Sequence, residues 1–94
     1  MDANQILALV KARIGLMGTV RDTYLKAIIE GVINELEDEK GLSLDGDSPY
    51  HVMFVVDFAT WRYQNRDSTG AMPRHLQYRL HNLMIHTGRD ADDV

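Results

Sequence analysis

The 94 residues include 14 acidic and 10 basic side chains, giving a formal charge of −4, with 45% hydrophobic residues, 26% charged residues and no cysteine. That balance argues against a domain whose main task is to neutralise phosphates, and the lack of cysteine excludes a disulfide framework, a thiolate metal site and a cysteine nucleophile. The length suits one modest core. No apolar run reaches the roughly 18 residues of a membrane span, and the opening MDANQ lacks a signal peptide's basic-then-apolar layout, so a soluble protein of a reducing intracellular compartment, with no membrane association, is expected.

In chain order the apolar periodicity predicts four helices and no strand, an all-α small four-helix domain with helices at about 2–14, 19–40, 49–66 and 73–87. In the first, Ala3, Ile6, Leu7, Val10 and Ile14 fall on one arc at about 100° per residue, with Asp2 as cap and Gly15 and Gly18 at the exit. Thr19 is the expected cap of the second, with Asp22 three residues on. Its stripe is Leu25, Ile28, Ile29, Val32, Ile33 and Leu36, and Gly41 is the expected stop. Ala27 and Gly31 sit on another side beside Tyr24, where small residues would let another helix approach.

Ser48-Pro49 reads as a cap followed by a first-turn proline. The third helix is apolar on two sides: Val52, Val56, Ala59 and Tyr63 on one, Phe54, Phe58 and Trp61 on the other. Only Asp57, Thr60 and Gln64 form a clearly polar stripe. Such a helix is buried on more than one side, either as the central helix or with its second face against another chain. After the turn DSTGAM, Pro73 opens a fourth helix with an inner stripe of Leu76, Leu80, Leu83 and Met84 and with Tyr78 and Ile85 on the outer side. Gly88 is its expected stop. Residues 1–88 are read as one domain and residues 89–94, RDADDV, as a short acidic tail.

The chemistry-bearing side chains do not assemble into a catalytic motif. His75, His81 and His86 are six and five residues apart, off the i, i+4 spacing of a helical metal site. Asp45 and Asp47 in DGDSP resemble the start of a calcium loop, but Val56 stands where the glutamate is required, so a turn followed by a helix cap is the stronger reading. Neither enzyme activity, nor a cofactor, nor a bound metal is expected. Glu35, Glu37, Asp38 and Glu39 crowd a helix C-terminus, where the macrodipole disfavours them. They are either a solvated end or partners for the arginines of a neighbour, such as Arg62, Arg66 or Arg74.

The stretch FATWRYQNRDSTGAMPRHLQYRL places aromatics, Trp61 and Tyr63 among them, and four arginines around a Gly/Pro break, a pattern that suits nucleic acid. Trp61 and Tyr63, however, project about 200° apart on a helix and make no continuous stacking platform. A fourth helix with Arg74, His75, Gln77, Arg79, His81 and Asn82 has the side chains of a recognition helix in a small DNA-binding regulator. The Asp67–Met72 loop is longer than a helix-turn-helix turn allows. An antitoxin or inhibitor that binds a single protein partner is a third class compatible with the composition.

Two segments together resemble the tailed-phage head–tail connector (head completion or adaptor) proteins. TVRDTYLKAIIEGVINELEDEKG is similar to that family's D-x-x-L-x-x-L-I-x-x-A-x-x-x-I helix. WRYQNRDSTGAMPRHLQYRL is similar to its aromatic helix ending in Y-x-N-R, followed by a loop, a proline and a leucine-patterned helix. Tyr63, Asn65 and Arg66 match the Y-x-N-R end, Pro73 the proline, and Leu76 and Leu80 the last helix. The likeness covers roughly Gly15 to Gly88 and departs at Gly31, where the family often has alanine, and in its early end. It implies a helical adaptor that forms a homo-oligomeric ring beneath the portal, following the portal's twelve-fold symmetry, and links the DNA-filled head to the neck or tail. Expected partners are further copies of the chain, the portal protein and the next neck or tail-completion protein, with passing contact to packaged DNA. The expected location is the host cytoplasm before assembly and the virion neck after it. A ring needs heterologous contacts between two different surfaces of one subunit. The candidate subunit or portal interface residues are Phe54, Phe58, Trp61, Arg62, Arg66, Arg74, Tyr78, Arg79, Ile85, Glu37 and Glu39.

Overall fold

A computed structural model describes residues 1–67 and 70–87. The acidic tail 89–94, the Gly88 stop and residues 68 and 69 of the expected turn lie outside them. Four α-helices form, α1 Ala3–Ile14, α2 Asp22–Asn34, α3 Pro49–Gln64 and α4 Arg74–Thr87, with no strand among the described residues.

Local chemistry sets most of the ends. The Asp2 carboxylate accepts the Asn4 N–H at 2.9 Å and caps α1. Gly15, at φ 75°, turns the chain out of that helix while the Leu16 N–H bonds back to the Lys11 carbonyl at 3.0 Å, a glycine-closed C-terminus. Before α3, the Asp47 N–H bonds the Asp45 carboxylate at 2.9 Å and the Ser48 N–H bonds the Asp45 carbonyl at 3.1 Å. Ser48 then caps the helix by accepting the His51 N–H, with Pro49 in the first turn. DGDSP is thus a turn and a cap.

The second helix departs from expectation at both ends. It begins at Asp22, not Thr19, and Thr19 contributes only its carbonyl, which accepts the Asp22 N–H at 3.2 Å. Asp22 instead pairs with Lys11 at 2.8 Å, placing an anion at the start of α2 and a cation at the end of α1, where each helix dipole favours it. At the other end the α-helix widens into a π-helical turn over Glu35–Glu39. The Lys40 N–H reaches back to Glu35 O and the Leu42 N–H to Leu36 O, both at 3.0 Å. The wider turn and Gly41 at φ 71° let both Leu36 and Leu42 point into the core. Helix three also ends earlier than expected, at Gln64 with Asn65 as its cap, and α4 starts one residue after Pro73.

α1 and α2 form a hairpin, α3 lies against both, and among the described residues α4 packs on α3 and on no other helix. Arg21, at the head of α2, bonds the Tyr63 hydroxyl at the tail of α3, and the Gly46 turn before α3 lies against Met1. Pro73 and His75 share a hollow with Gln64, while Leu83 and His86 share one with Tyr50 and His51. The helices therefore run up, down, up and down.

The expected α1 and α2 stripes are buried or half-buried throughout. α3 is the central helix: Val52, Phe54, Val55, Val56, Phe58, Ala59, Thr60 and Tyr63 are all buried in this one chain. Its supposed polar stripe is largely covered too, since α1 and α4 approach over Asp57 and Thr60 and leave only Gln64 exposed. On α4, Leu76 and Leu83 are buried and Leu80 half-buried, whereas Met84, expected inside, is exposed because the helix has only one neighbour.

Among the described residues no helix uses the Ala27 and Gly31 face. A Cβ added at Gly31 would meet nothing within 4 Å, and the residue has helical backbone without positive φ. Gly31→Ala is therefore expected to stabilise the domain by about 0.5–1 kcal/mol through reduced unfolded-state entropy. A urea or thermal melt reads this directly, and a lower midpoint would show that the face is occupied.

Candidate interaction surfaces

α3 carries polar groups at the points where each neighbour meets it. Asp57, its side chain 18% exposed, takes Arg79 of α4 on Oδ2 at 2.6 Å and Arg13 of α1 on Oδ1 at 2.8 Å. The Arg79 contact is aligned as a hydrogen bond, while the Arg13 contact is an ion pair without that alignment. The Arg79 guanidinium also lies 5.3 Å from the Phe54 ring centre and 5.9 Å from that of Tyr50, within cation–π range. One carboxylate thus joins three helices. The hollow beside it, about 230 Å³, is lined by Thr60, Trp61, Gln64 and His75 among others. Thr60 is buried there, and its hydroxyl has no hydrogen-bond partner among the described residues.

Arg62 makes the second junction. It bonds both oxygens of Glu35 on the π-helical turn, at 2.7 and 3.4 Å, and lies 4.8 Å from the Phe58 ring centre. The expectation that these acids meet arginines was right for this pair, but the contact is made within the chain. Arg66 folds over the Tyr63 ring at 4.3 Å and bonds the Tyr63 carbonyl, capping its own helix end.

The candidate interface residues consequently divide. Phe54 and Phe58 are 0% exposed and stack edge to face, centroids 5.8 Å apart. They form the core between α3 and its neighbours and offer nothing to a partner, which corrects their assignment to an interface. Arg62 and Arg79 have their charge taken up within the chain, by Glu35 at 2.7 Å and by Asp57 at 2.6 Å. Trp61 is half-buried against Phe58. Glu37 is half-buried and Glu39 exposed. Arg66 and Arg74 are exposed, and Tyr78 and Ile85 stand 69% and 53% exposed. Seven residues apart, Tyr78 and Ile85 share one side of α4, with Arg74 and His81 beside them.

Two features escaped the sequence reading. Met17 and Val20, at the tip of the α1–α2 turn, are 94% and 97% exposed. Two large apolar residues bracketing a glycine outside any helical stripe were the available signal. An open groove of about 330 Å³ also runs between Tyr50 and His51 of α3 and Asn82, Leu83 and His86 of α4. Only the pairing of two distant helices creates it. Among the described residues no cluster of three metal-ligating side chains occurs, and no helix is long and apolar enough to cross a membrane.

The two junctions differ in burial, so they should differ in energy. Asp57→Ala strands Arg79 in a mostly covered position and is expected to cost about 1–3 kcal/mol. Arg62→Ala, in a more exposed pair, should cost under about 1 kcal/mol. Denaturant titration gives both values, and hydrogen exchange should show α4 loosening first in Asp57→Ala.

No family model matches the chain, and no curated protein or solved structure is found to be similar to it.

Proposed function

We propose that the chain is a structural adaptor of the tailed-phage head–tail connector kind, a ring-forming subunit that docks on the portal and carries the next neck or tail component. The reading rests on the resemblance of the α2 and α3–α4 segments to that family. One structural observation carries it: α4 packs on α3 alone, and its outer side keeps Tyr78 and Ile85 in water with Arg74 and His81 alongside. An aromatic and an aliphatic anchor with charged neighbours is the composition of a protein-binding patch. In this proposal the patch is the portal-docking surface.

The competing use of α4, reading duplex DNA, has fewer side chains available than the sequence suggested. Arg79 is held by Asp57, and Gln77 donates to the Met72 carbonyl. Arg74, His75 and His81 remain exposed.

The test is co-sedimentation with a purified portal ring, alongside duplex DNA titrated at two salt concentrations. Binding to the portal is expected, lost in Tyr78→Ser/Ile85→Ser while the unfolding free energy stays within about 0.5 kcal/mol of the parent, as for other surface substitutions. Micromolar DNA binding with a steep salt slope, abolished by Arg74→Ala, would overturn the proposal in favour of a regulator.

A further inference from the structure

The arginines that touch other parts of the domain divide by what answers their charge. Arg13 and Arg79 meet Asp57, and Arg62 meets Glu35. Arg21 and Arg66 are anchored to neutral groups instead. The Arg21 guanidinium donates to the Tyr63 hydroxyl. Arg66 lies over the same ring, 4.3 Å from its centre, and donates to the Tyr63 carbonyl at 2.5 Å. Two cations thus bracket one tyrosine, and neither forms an ion pair among the described residues. That is unexpected in a chain with 14 acidic and 10 basic side chains, since like charges held near one another repel.

The acids next to them in the chain do not compensate. Asp22 is taken by Lys11 at 2.8 Å, and Asp67 is exposed and pairs with neither arginine. Tyr63 is only 5% exposed. Its hydroxyl oxygen accepts from Arg21, but among the described residues nothing accepts its own O–H, which leaves a nearly buried donor open. Further donors stand at the head of α2. The Asp22 and Leu25 N–H groups go to the Thr19 and Arg21 carbonyls at 3.2 and 2.9 Å, whereas those of Thr23 and Tyr24 have no such acceptor, and no side chain caps this end. The Tyr24 ring packs beside that of Tyr63, centroids 6.2 Å apart, and is half exposed. Two guanidiniums, a tyrosine O–H and the positive end of a helix dipole therefore gather at one corner of the domain.

We infer that this corner is a binding site for a tetrahedral oxyanion, phosphate or the phosphate group of a monoester, held by Arg21, Arg66 and the Tyr63 O–H. A dianion matches two uncompensated guanidiniums, each of which has N–H donors to spare. Its several oxygens can meet donors that approach from different directions, whereas a single carboxylate is filled by the fork of one arginine. The site does not extend into the basic track that a nucleic-acid strand follows, because Lys11, Arg13, Arg62 and Arg79 are neutralised within the chain. It shares no side chain with the Tyr78 and Ile85 patch, and so goes beyond the portal-docking reading.

The test is a titration of the full chain with sodium phosphate, sodium sulfate or sodium chloride at constant ionic strength. Heteronuclear NMR follows the backbone and arginine side-chain N–H signals, at a mildly alkaline pH where phosphate is mostly dianionic. Saturable shifts at Arg21, Thr23, Tyr24 and Arg66 are expected with phosphate and sulfate and not with chloride. Arg21→Gln and Arg66→Gln, each checked for folding by circular dichroism, should weaken phosphate binding about tenfold or more, the loss of one charge-assisted bond. Tyr63→Phe, which keeps the ring and removes only the O–H, should weaken it by a smaller factor. Lys40→Gln, beyond the far end of α2, should bind as the parent does. Shifts that follow ionic strength whatever the anion, or phosphate affinity unchanged in both folded arginine variants, would overturn the inference. So would an oligonucleotide that moves these signals when phosphate and sulfate do not.

Discussion

The burial of α3 on nearly every side is the constraint around which the domain is arranged. A chain of this length can build one core, and sixteen residues of a helix apolar on two faces must lie at its centre. Phe54, Phe58 and Trp61 run along α3 in tilted and edge-to-face contact, at 5.8 and 6.2 Å between successive centroids. The α1–α2 hairpin covers one side of the helix and α4 another. With α3 taken up in this way, α4 has a single neighbour, and its outer side stays open to water.

Polar groups on α3 determine how its neighbours are held. Asp57 joins α1 and α4, Arg62 holds the π-helical turn through Glu35, and the Tyr63 hydroxyl receives Arg21. Each contact is geometrically selective where apolar packing alone tolerates sliding. The aromatic rings contribute to this as well, since Arg62, Arg66 and Arg79 each lie over one of them. The arginines that first suggested nucleic acid are therefore partly internal fasteners. Arg66 and Arg74 remain at the surface.

The molecule is polar in charge along its helices. Acidic residues gather where α1 and α3 begin and α2 ends, and arginines gather where α1 and α3 end and α2 begins. The portal-docking reading treats the α4 face, with Tyr78 and Ile85 exposed, as a place for other protein.

The helices and their caps were legible in the sequence because the signals are local. Asp2, Gly15, Ser48-Pro49 and Gly41 act within a few residues of the backbone they satisfy, and the stripes of α1 and α2 follow the helix period toward a single core. The outward placement of Tyr78 and Ile85 followed from the same period. What surrounds α3 did not, because a helix apolar all round has no direction in its pattern: Phe54 and Phe58 fit core packing first, and an interface remained open. The π-helical turn, the capture of Arg62 by Glu35 and of Arg79 by Asp57, and the groove at Tyr50 depend on residues 22 to 36 positions apart in the chain or on one extra residue in a turn. No short-range pattern encodes them. The sequence by itself determined four helical elements and most of their caps; only the packing of those elements decided which charges are neutralised within the chain and which surfaces remain for a partner.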